Sequence, residues 1–317
     1  MAARAKKLTA AIATVVALVL CGANPSGSRG EPERLAPLQQ TTRPVQRIVS
    51  LVPALTEMLF AVGAGSQVVG VSSYDDFPPE VQSRPRVGAL LDPDVERILS
   101  LKPDLVVMYG SQTDLQGQFA RAGIRVYSYR HGGSGNGIGN VLQTIHELGA
   151  LSGHKVEGDR VTAQLQARLD AVRARVRGRP RPLTMLVMGR DAMALRGVYV
   201  SAGVGFLHEL LEVAGAEDVF ADVKREGIQP SNETMIVRAP QVIIELHPGA
   251  EPTPEVLQKE RSVWSLLSSV PAVRNRRVHL LYGGYLMSPG PRLAAAETLA
   301  RVLHPDAFVG VDLKVLP

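Results

Sequence analysis

Cysteine is almost missing from this chain: Cys21 is the only one in 317 residues. No disulfide and no thiolate metal site can therefore lie in the folded part downstream of it. Aromatic residues are scarce too, at 4% with one tryptophan, Trp264. A groove for single-stranded nucleic acid needs basic side chains interleaved with exposed rings, and this composition argues against one. The sequence holds no GxSxG elbow, Walker loop, HExxH pair or DxDxDG calcium loop. Its seven histidines include no His-x-His or i,i+4 pair, so no metal motif can be read from them. Gly132–Asn140 is rich in glycine but lacks the GxGxxG spacing, and reads as a loop beside a cleft. Asp75 and Asp76 share a loop, where adjacent carboxylates have no fixed separation for acid–base work. The chain offers no nucleophile–base pair, and is read as not an enzyme; the alternative, an exported enzyme using a cleft between lobes, would need such a pair.

What is present is ordinary for a soluble globular protein: 45% hydrophobic, 21% charged, net charge +5. The length suits two domains or one large one. Arg4, Lys6 and Lys7 precede an uncharged run from Leu8 to Leu20, which reads as an export signal, too short for a confident membrane span. Processing has two readings, a cut after Ala23 or lipidation of Cys21 at Leu18–Cys21. Residues 1–23 are thus a signal and 24–44, rich in Gly, Pro and Ser, a tether.

The remainder repeats a plan. Arg47–Val52, Gln67–Ser72, Leu105–Tyr109 and Ile124–Tyr129 read as strands, with helices between them and a further helix at Ile138–Leu151. Asp94 is placed to cap a helix with Glu96 in its first turn, and Pro103 ends it before a strand. Later, Ser231, Glu233 and Pro240 stand at the same spacing, again before an apolar strand, Val242–Leu246. Thr184–Gly189 and Val278–Tyr282 supply further strands, Val219–Ala221 a short extended piece, and Phe206–Val213 and Pro291–Leu303 helices. Strands apolar on both faces, alternating with helices, predict an α/β fold with mainly parallel sheets. The repeat predicts two similar lobes, at 45–154 and 179–310, followed by a tail at 311–317.

Between the lobes Val156, Val161, Leu165, Leu169, Val172 and Val176 recur at helical spacing, and Gly178 and Pro180 end the run. One long helix over 155–178 is therefore expected to link the lobes and to limit their relative motion. It should contribute few ligand contacts, because a ligand belongs in the cleft at the strand ends. His131 and His247 each follow a strand end and so are candidates to face that cleft; His146 and His208 read as helical residues. Tyr74, Tyr109, Tyr129, Tyr282 and Tyr285 stand at or just after strand ends, and Tyr199 follows the second lobe's first strand. Tyr127 reads as sheet packing, and Trp264 as the anchor of a short helix.

Four segments carry a resemblance: Arg47–Glu57, Val68–Glu80, Val95–Val107 and, more weakly, Asn232–Ile244. Together they resemble the helical-backbone, metal-chelate receptors that serve ABC importers, and most closely the cobalamin-receptor branch. The similarity covers about residues 45–308. It implies a binding protein that delivers cobalamin or a related corrinoid to an importer, with haem or a ferric siderophore as alternative cargo. It also implies docking of Glu96 and Glu233 onto arginines of a permease dimer. Pro53 and Tyr74 match family cleft positions, Tyr109 falls where the family has Trp, and Tyr199 lies near a family Phe. Tyr285 and Ser288 belong to Tyr282–Arg292, which keeps the family's Ser-Pro but lacks its neighbouring Asp and Arg. Two family tryptophans, expected around Ala89–Leu91 and before Ser231, are missing. No cofactor other than the cargo, no metal held by the protein alone, no nucleic acid and a monomeric state complete the expectation.

Overall fold

A computed structural model describes residues 43–89, 91–129, 137–291 and 294–310, without the side chains of Tyr285 and Ala294. Expectations for the leader, Cys21 and the tether, for His131 and for the tail at 311–317 fall outside these residues.

Largely apolar runs form the four sheet strands of the first lobe. Its elements are β1 (Ile48–Ser50), α1 (Pro53–Ala61), β2 (Val68–Val71), β3 (Gly88–Ala89), β4 (Asp92–Pro93), α2 (Val95–Ser100), β5 (Leu105–Tyr109), α3 (Thr113–Arg121), β6 (Arg125–Tyr129) and α4 (Ile138–Ser152). The sheet runs β2-β1-β5-β6, wholly parallel, and β3 and β4 form a separate two-residue antiparallel ribbon. The α1 helix begins at Pro53, earlier than the pattern from Thr56 suggested, because Pro at the first helical position arrives with a helical φ.

The link is α5 (Lys155–Val176). Its buried stripe is Gly158, Val161, Leu165, Leu169, Val172 and Val176. Val156, expected on that stripe, is 84% exposed. The period continues back from Val161 to Gly158, where α5 meets α4 so closely that a Cβ on Gly149 would lie 3.0 Å from the Gly158 Cα. A valine there would force the helices apart.

The second lobe contains β7 (Leu183–Gly189), β8 (Tyr199–Ser201), α6 (Phe206–Val213), β9 (Glu217–Asp218), β10 (Gly227–Ile228), α7 (Asn232–Arg238), β11 (Val242–His247), α8 (Pro254–Ser262), α9 (Pro271–Arg274), β12 (Val278–Tyr282) and α10 (Ala294–Leu303). Its sheet runs β10-β8-β7-β11-β12, with β9 beside β7. The β7, β9, β11 and β12 strands are parallel, and β8 is antiparallel to β7 and β10. The extended piece expected at Val219–Ala221 is instead a turn after β9, where Asp218 Oδ1 accepts from Phe220 N at 2.9 Å. That side-chain bond closes the turn and takes the chain off the strand.

The repeat persists in backbone detail. Asp94 accepts from Arg97 N at 2.9 Å and Ser231 from Thr234 N at 3.2 Å, so both act as N-caps. At the other end of each helix, the residue before proline is left-handed: Lys102 at φ 47° and Ala239 at φ 48°.

One hydrophobic core runs through both lobes. It joins Leu55, Leu59 and Ile145 of the first lobe to Leu165 and Leu169 of α5, and these to Leu210, Leu246 and Leu299 of the second. Arg168 of α5 holds Glu297 of α10 through two bonds of 2.9 and 2.7 Å. The α4 helix has no cap of its own, and Glu209 of α6 supplies one, its carboxylate accepting from Ile138 N at 2.7 Å. Gly137 leaves room for it: any side chain there would collide with that carboxylate. The linking helix is thus a packed strut with contacts to both lobes, stiffer than a free rod.

Candidate functional site

Parallel strands present their following loops at their C-terminal ends, and the site is built there. In the first lobe the turn after β2 carries Tyr74, half-buried. A buried clasp fixes that turn. Ser72 Oγ donates to Asp75 Oδ2 at 2.6 Å, Tyr74 N donates to Ser72 Oγ at 3.3 Å, and Arg86 Nη1 donates to the carbonyls of Ser72 and Asp75. Burial pushes the Asp75 carboxyl above its usual range, against the opposing hydrogen bonds from Ser72 and Thr56. Asp76 beside it is exposed, so the two carboxylates have no common environment. Asp75 serves as a scaffold for Tyr74. Pro53 stands half-buried at the turn after β1.

Tyr109 ends β5 and lies beside Tyr129 of β6, with ring centroids 5.9 Å apart and planes at 48°. Burial raises the pKa of both phenols. The Tyr129 field adds to the effect on Tyr109, and Glu226 acts on both; Tyr129 is pushed up to about 12 although Asn140 opposes the rise. Glu226 belongs to the second lobe, just before β10, and its field reaches both tyrosines across the gap. Sequence reasoning missed this residue, which reads as one more surface charge in Lys224–Gly227 and has no periodic signal. Tyr127 is buried in the core and donates to Glu147 Oε2 at 2.6 Å, consistent with a packing role.

The second lobe's wall differs. Tyr199 opens β8, buried, with its ring against Gly227; a Cβ there would come within 2.7 Å of the phenol. It therefore packs as part of the wall more than it projects from it. His247 ends β11, stacked on Tyr282 at 4.5 Å and 15°. Its Nε2 lies 2.9 Å from Glu245 Oε1. Beneath it sits a buried charge cluster. Arg190 lies 2.9 Å from Glu245 and 2.7 Å from Glu260, and Trp264 Nε1 donates to Glu245 Oε2 at 2.9 Å. Burial alone would raise the Glu245 carboxyl, but His247, Arg190 and Trp264 together hold it below the usual range. Trp264 anchors its short helical turn, as its sequence suggests, and it also closes this cluster.

After β12 and its short helical turn, Ser288 is half-buried, and its Oγ is buried without a hydrogen-bond partner. Its neighbour Gly290 packs against Glu57 of α1, where a Cβ would lie 3.1 Å from a Glu57 carboxylate oxygen. Tyr285 lies in the adjoining 3-10 turn, Gly284–Leu286, but its side chain is outside the described atoms. Of the other histidines, His146 pairs with exposed Asp159 at 2.6 Å and His208 with buried Asp218 at 3.2 Å. Among the described residues no three His, Cys, Asp or Glu side chains form a metal-holding group.

Glu96 and Glu233 are exposed in the first turns of α2 and α7. Each helix leaves the C-terminal side of its sheet and returns to start the next strand. Both carboxylates therefore stand on the side that carries Tyr74, Tyr109 and His247. The Ser231 hydroxyl, then the backbone, draws the Glu233 carboxyl below its usual range.

Comparison with known proteins gives one consistent result. The family model described as periplasmic binding protein matches residues 48–283. The vitamin B12-binding protein of Salmonella typhimurium is 32% identical over 229 residues, 72% of this chain and 80% of that protein. An uncharacterized ABC transporter substrate-binding lipoprotein of Bacillus subtilis, YvrC, is 28% identical over 274 residues, 83% of this chain and 81% of its own. Among solved structures, the heme-binding protein RhuT of Roseiflexus sp. RS-1 superposes with TM-score 0.68 at 25% identity, covering 83% of this chain and 99% of that one. The vitamin B12 binding protein BtuF of Vibrio cholerae superposes with TM-score 0.70 at 24% identity, covering 83% and 98%.

Proposed function

The chain belongs to the periplasmic binding protein family, the substrate-binding proteins of ABC importers, and from that premise we propose that its cargo is cobalamin or a related corrinoid. Its relatives are binding proteins and not enzymes. The observation that carries the corrinoid reading is the fixed aromatic wall of the first lobe, within the segments that resemble cobalamin receptors. Tyr74 is clasped by Ser72, Asp75 and Arg86, and Tyr109 is held beside Tyr129. Rings held in place offer a large planar surface at low entropic cost, which suits a macrocycle. Pro53, Tyr199, Tyr285 and Ser288 complete the proposed contact set; the unpartnered Ser288 hydroxyl suits a polar group on the cargo. The cargo is delivered to an importer permease dimer through Glu96 and Glu233, the receptor acting as a monomer. The lobes move little about α5 as it does so. Export to the periplasm, with Cys21 as a lipid anchor, matches the lipoprotein relative. Among the described residues no helix is long and apolar enough to cross a membrane.

A second reading rests on His247. Glu245 Oε1 lies 2.9 Å from its Nε2, and a carboxylate behind one ring nitrogen is the arrangement that orients a histidine for a metal at the other. Haem, or another iron chelate, is the cargo on that reading. Titration of the chain without its leader separates the two. Cyanocobalamin is expected to bind at micromolar concentration or tighter, and Tyr74→Ala to weaken it about tenfold. Haemin binding with a Soret band that shifts in His247→Ala, and no heat with cyanocobalamin, would select the second.

A further inference from the structure

Eight large apolar side chains stand exposed among the described residues, and four of them, Leu91, Leu99, Ile236 and Val237, flank Glu96 and Glu233. Singly exposed apolar residues need no explanation; clustering at the two copies of one repeated segment does. Leu99 follows Glu96 by three residues and Ile236 follows Glu233 by three, so each apolar side chain shares a helix face with its acid. Both are 41% exposed. One residue between them faces inward in each copy: Ile98 and Met235 are buried. The frames are matched as well, with the same N-cap bond at Asp94 and Ser231 and the same left-handed turn at Lys102 and Ala239. Arg238 stiffens the end of α7 by gripping Asp222 at 2.8 Å through both terminal nitrogens, with Phe220 beneath it.

An apolar side chain at the same place beside the same acid on both lobes is the feature that asks for a use. Two like patches, one on each lobe and both on the strand-end side, match a partner that presents one complementary patch twice. We propose that Leu99 and Ile236 are apolar anchors of a two-part docking surface, each seated in a hollow of one subunit of a two-fold symmetric importer permease, next to the basic group that meets Glu96 or Glu233. This rests on the receptor reading and adds what the carboxylates lack. An exposed ion pair contributes little to affinity and fades with salt, whereas a buried aliphatic side chain at the centre of a contact survives it. Val237 and Leu91 extend the two patches.

The test uses the full chain in membranes of its own host, with a benzophenone amino acid at position 99, 236 or, as control, 156 on the exposed side of α5. Irradiation is expected to join positions 99 and 236 to the same permease polypeptide, one copy of the dimer each, and to leave 156 unjoined. Leu99→Ala and Ile236→Ala should each reduce the yield of receptor held on those membranes about tenfold, at high as well as low salt, with cyanocobalamin and haemin titrations unchanged. Leu99→Ile should retain it. Joining to a second copy of this chain, joining to two different proteins, or no joining by a chain that still binds cyanocobalamin or haemin would overturn the proposal. No binding of either probe by the unsubstituted chain would instead overturn the corrinoid and haem readings beneath it.

Discussion

The two lobes share a segment but fill one equivalent slot in opposite ways. Met108 of β5 and Glu245 of β11 occupy the same place in the repeat, five residues after the proline, and both are fully buried. The first lobe fills the slot with a thioether inside an apolar cluster that includes Val106 and Phe119. The second fills it with a carboxylate and then surrounds the charge with Arg190, His247 and the Trp264 indole. The copied parts are the cap, the buried helix residue, the turn and the exposed acid with its apolar companion, all facing outward or framing the strand. The parts that differ support the cleft. A duplicated frame thus serves a surface that must be alike on both sides, while each sheet supplies its own wall.

The largest effect should come from forcing the first lobe's solution on the second. Arg190→Met strips the buried Glu245 and the part-buried Glu260 of their shared cation and is expected to cost about 3–5 kcal/mol in urea unfolding followed by Trp264 fluorescence. Adding Glu245→Met should recover part of that loss, since the uncompensated charge is then gone. If the single variant unfolds like the parent, the cluster contributes no stability and the contrast with Met108 is cosmetic.

A smaller effect tests how the lobes are joined. Glu209→Ala removes the carboxylate that caps α4 and should cost about 1 kcal/mol, the usual worth of an N-cap. Hydrogen exchange at the Ile138 amide should quicken while the β5 and β11 amides stay protected. Uniform loss of protection would mean that the cap holds the whole fold and not one junction.

The smallest effect separates the lobes by pH. Asp218 holds the His208 imidazolium above its ordinary 6.5, with burial opposing. A raised folded pKa means a contribution fully present below about pH 6.5 and lost as pH rises through the folded value. Asp75 is also raised, from 3.8, so the first lobe's contribution fades in a lower window, beginning above about pH 3.8. Asp218→Asn should flatten the upper window and Asp75→Asn the lower, read as chemical-denaturation midpoints across pH. Proton NMR of His208 should show its titration moving down in Asp218→Asn, and an unmoved titration would remove Asp218 as the cause.

Much of the fold was legible because its signals are local. Leu105–Tyr109, Phe206–Val213 and Val278–Tyr282 form the elements their patterns predict, and the caps at Asp94 and Ser231 depend on atoms three residues away. The α5 stripe was readable from Val161 onward and failed at Val156, where a glycine contact with another helix, invisible to periodicity, set the buried position. Of the candidate site, the positions of Tyr74 and Tyr109 at strand ends followed from chain order. Their surroundings did not. Asp75 read as one of two adjacent loop carboxylates and is a buried clasp; Trp264 read as the anchor of a short helix and also binds a carboxylate.

The sequence by itself determined the two-lobed plan, the linking helix, the paired acids and the family, because period, capping and repetition are properties of residues near each other along the chain. Only the tertiary structure decided that Glu245, Arg190, His247 and Trp264 form one cluster, that the charge of Glu226 acts on the tyrosines of the opposite lobe, and that Glu209 caps a helix not its own. Those partners lie far apart in sequence. Their pairing is imposed by the cost of leaving a buried charge or a helix-end amide unsatisfied, which no local pattern records.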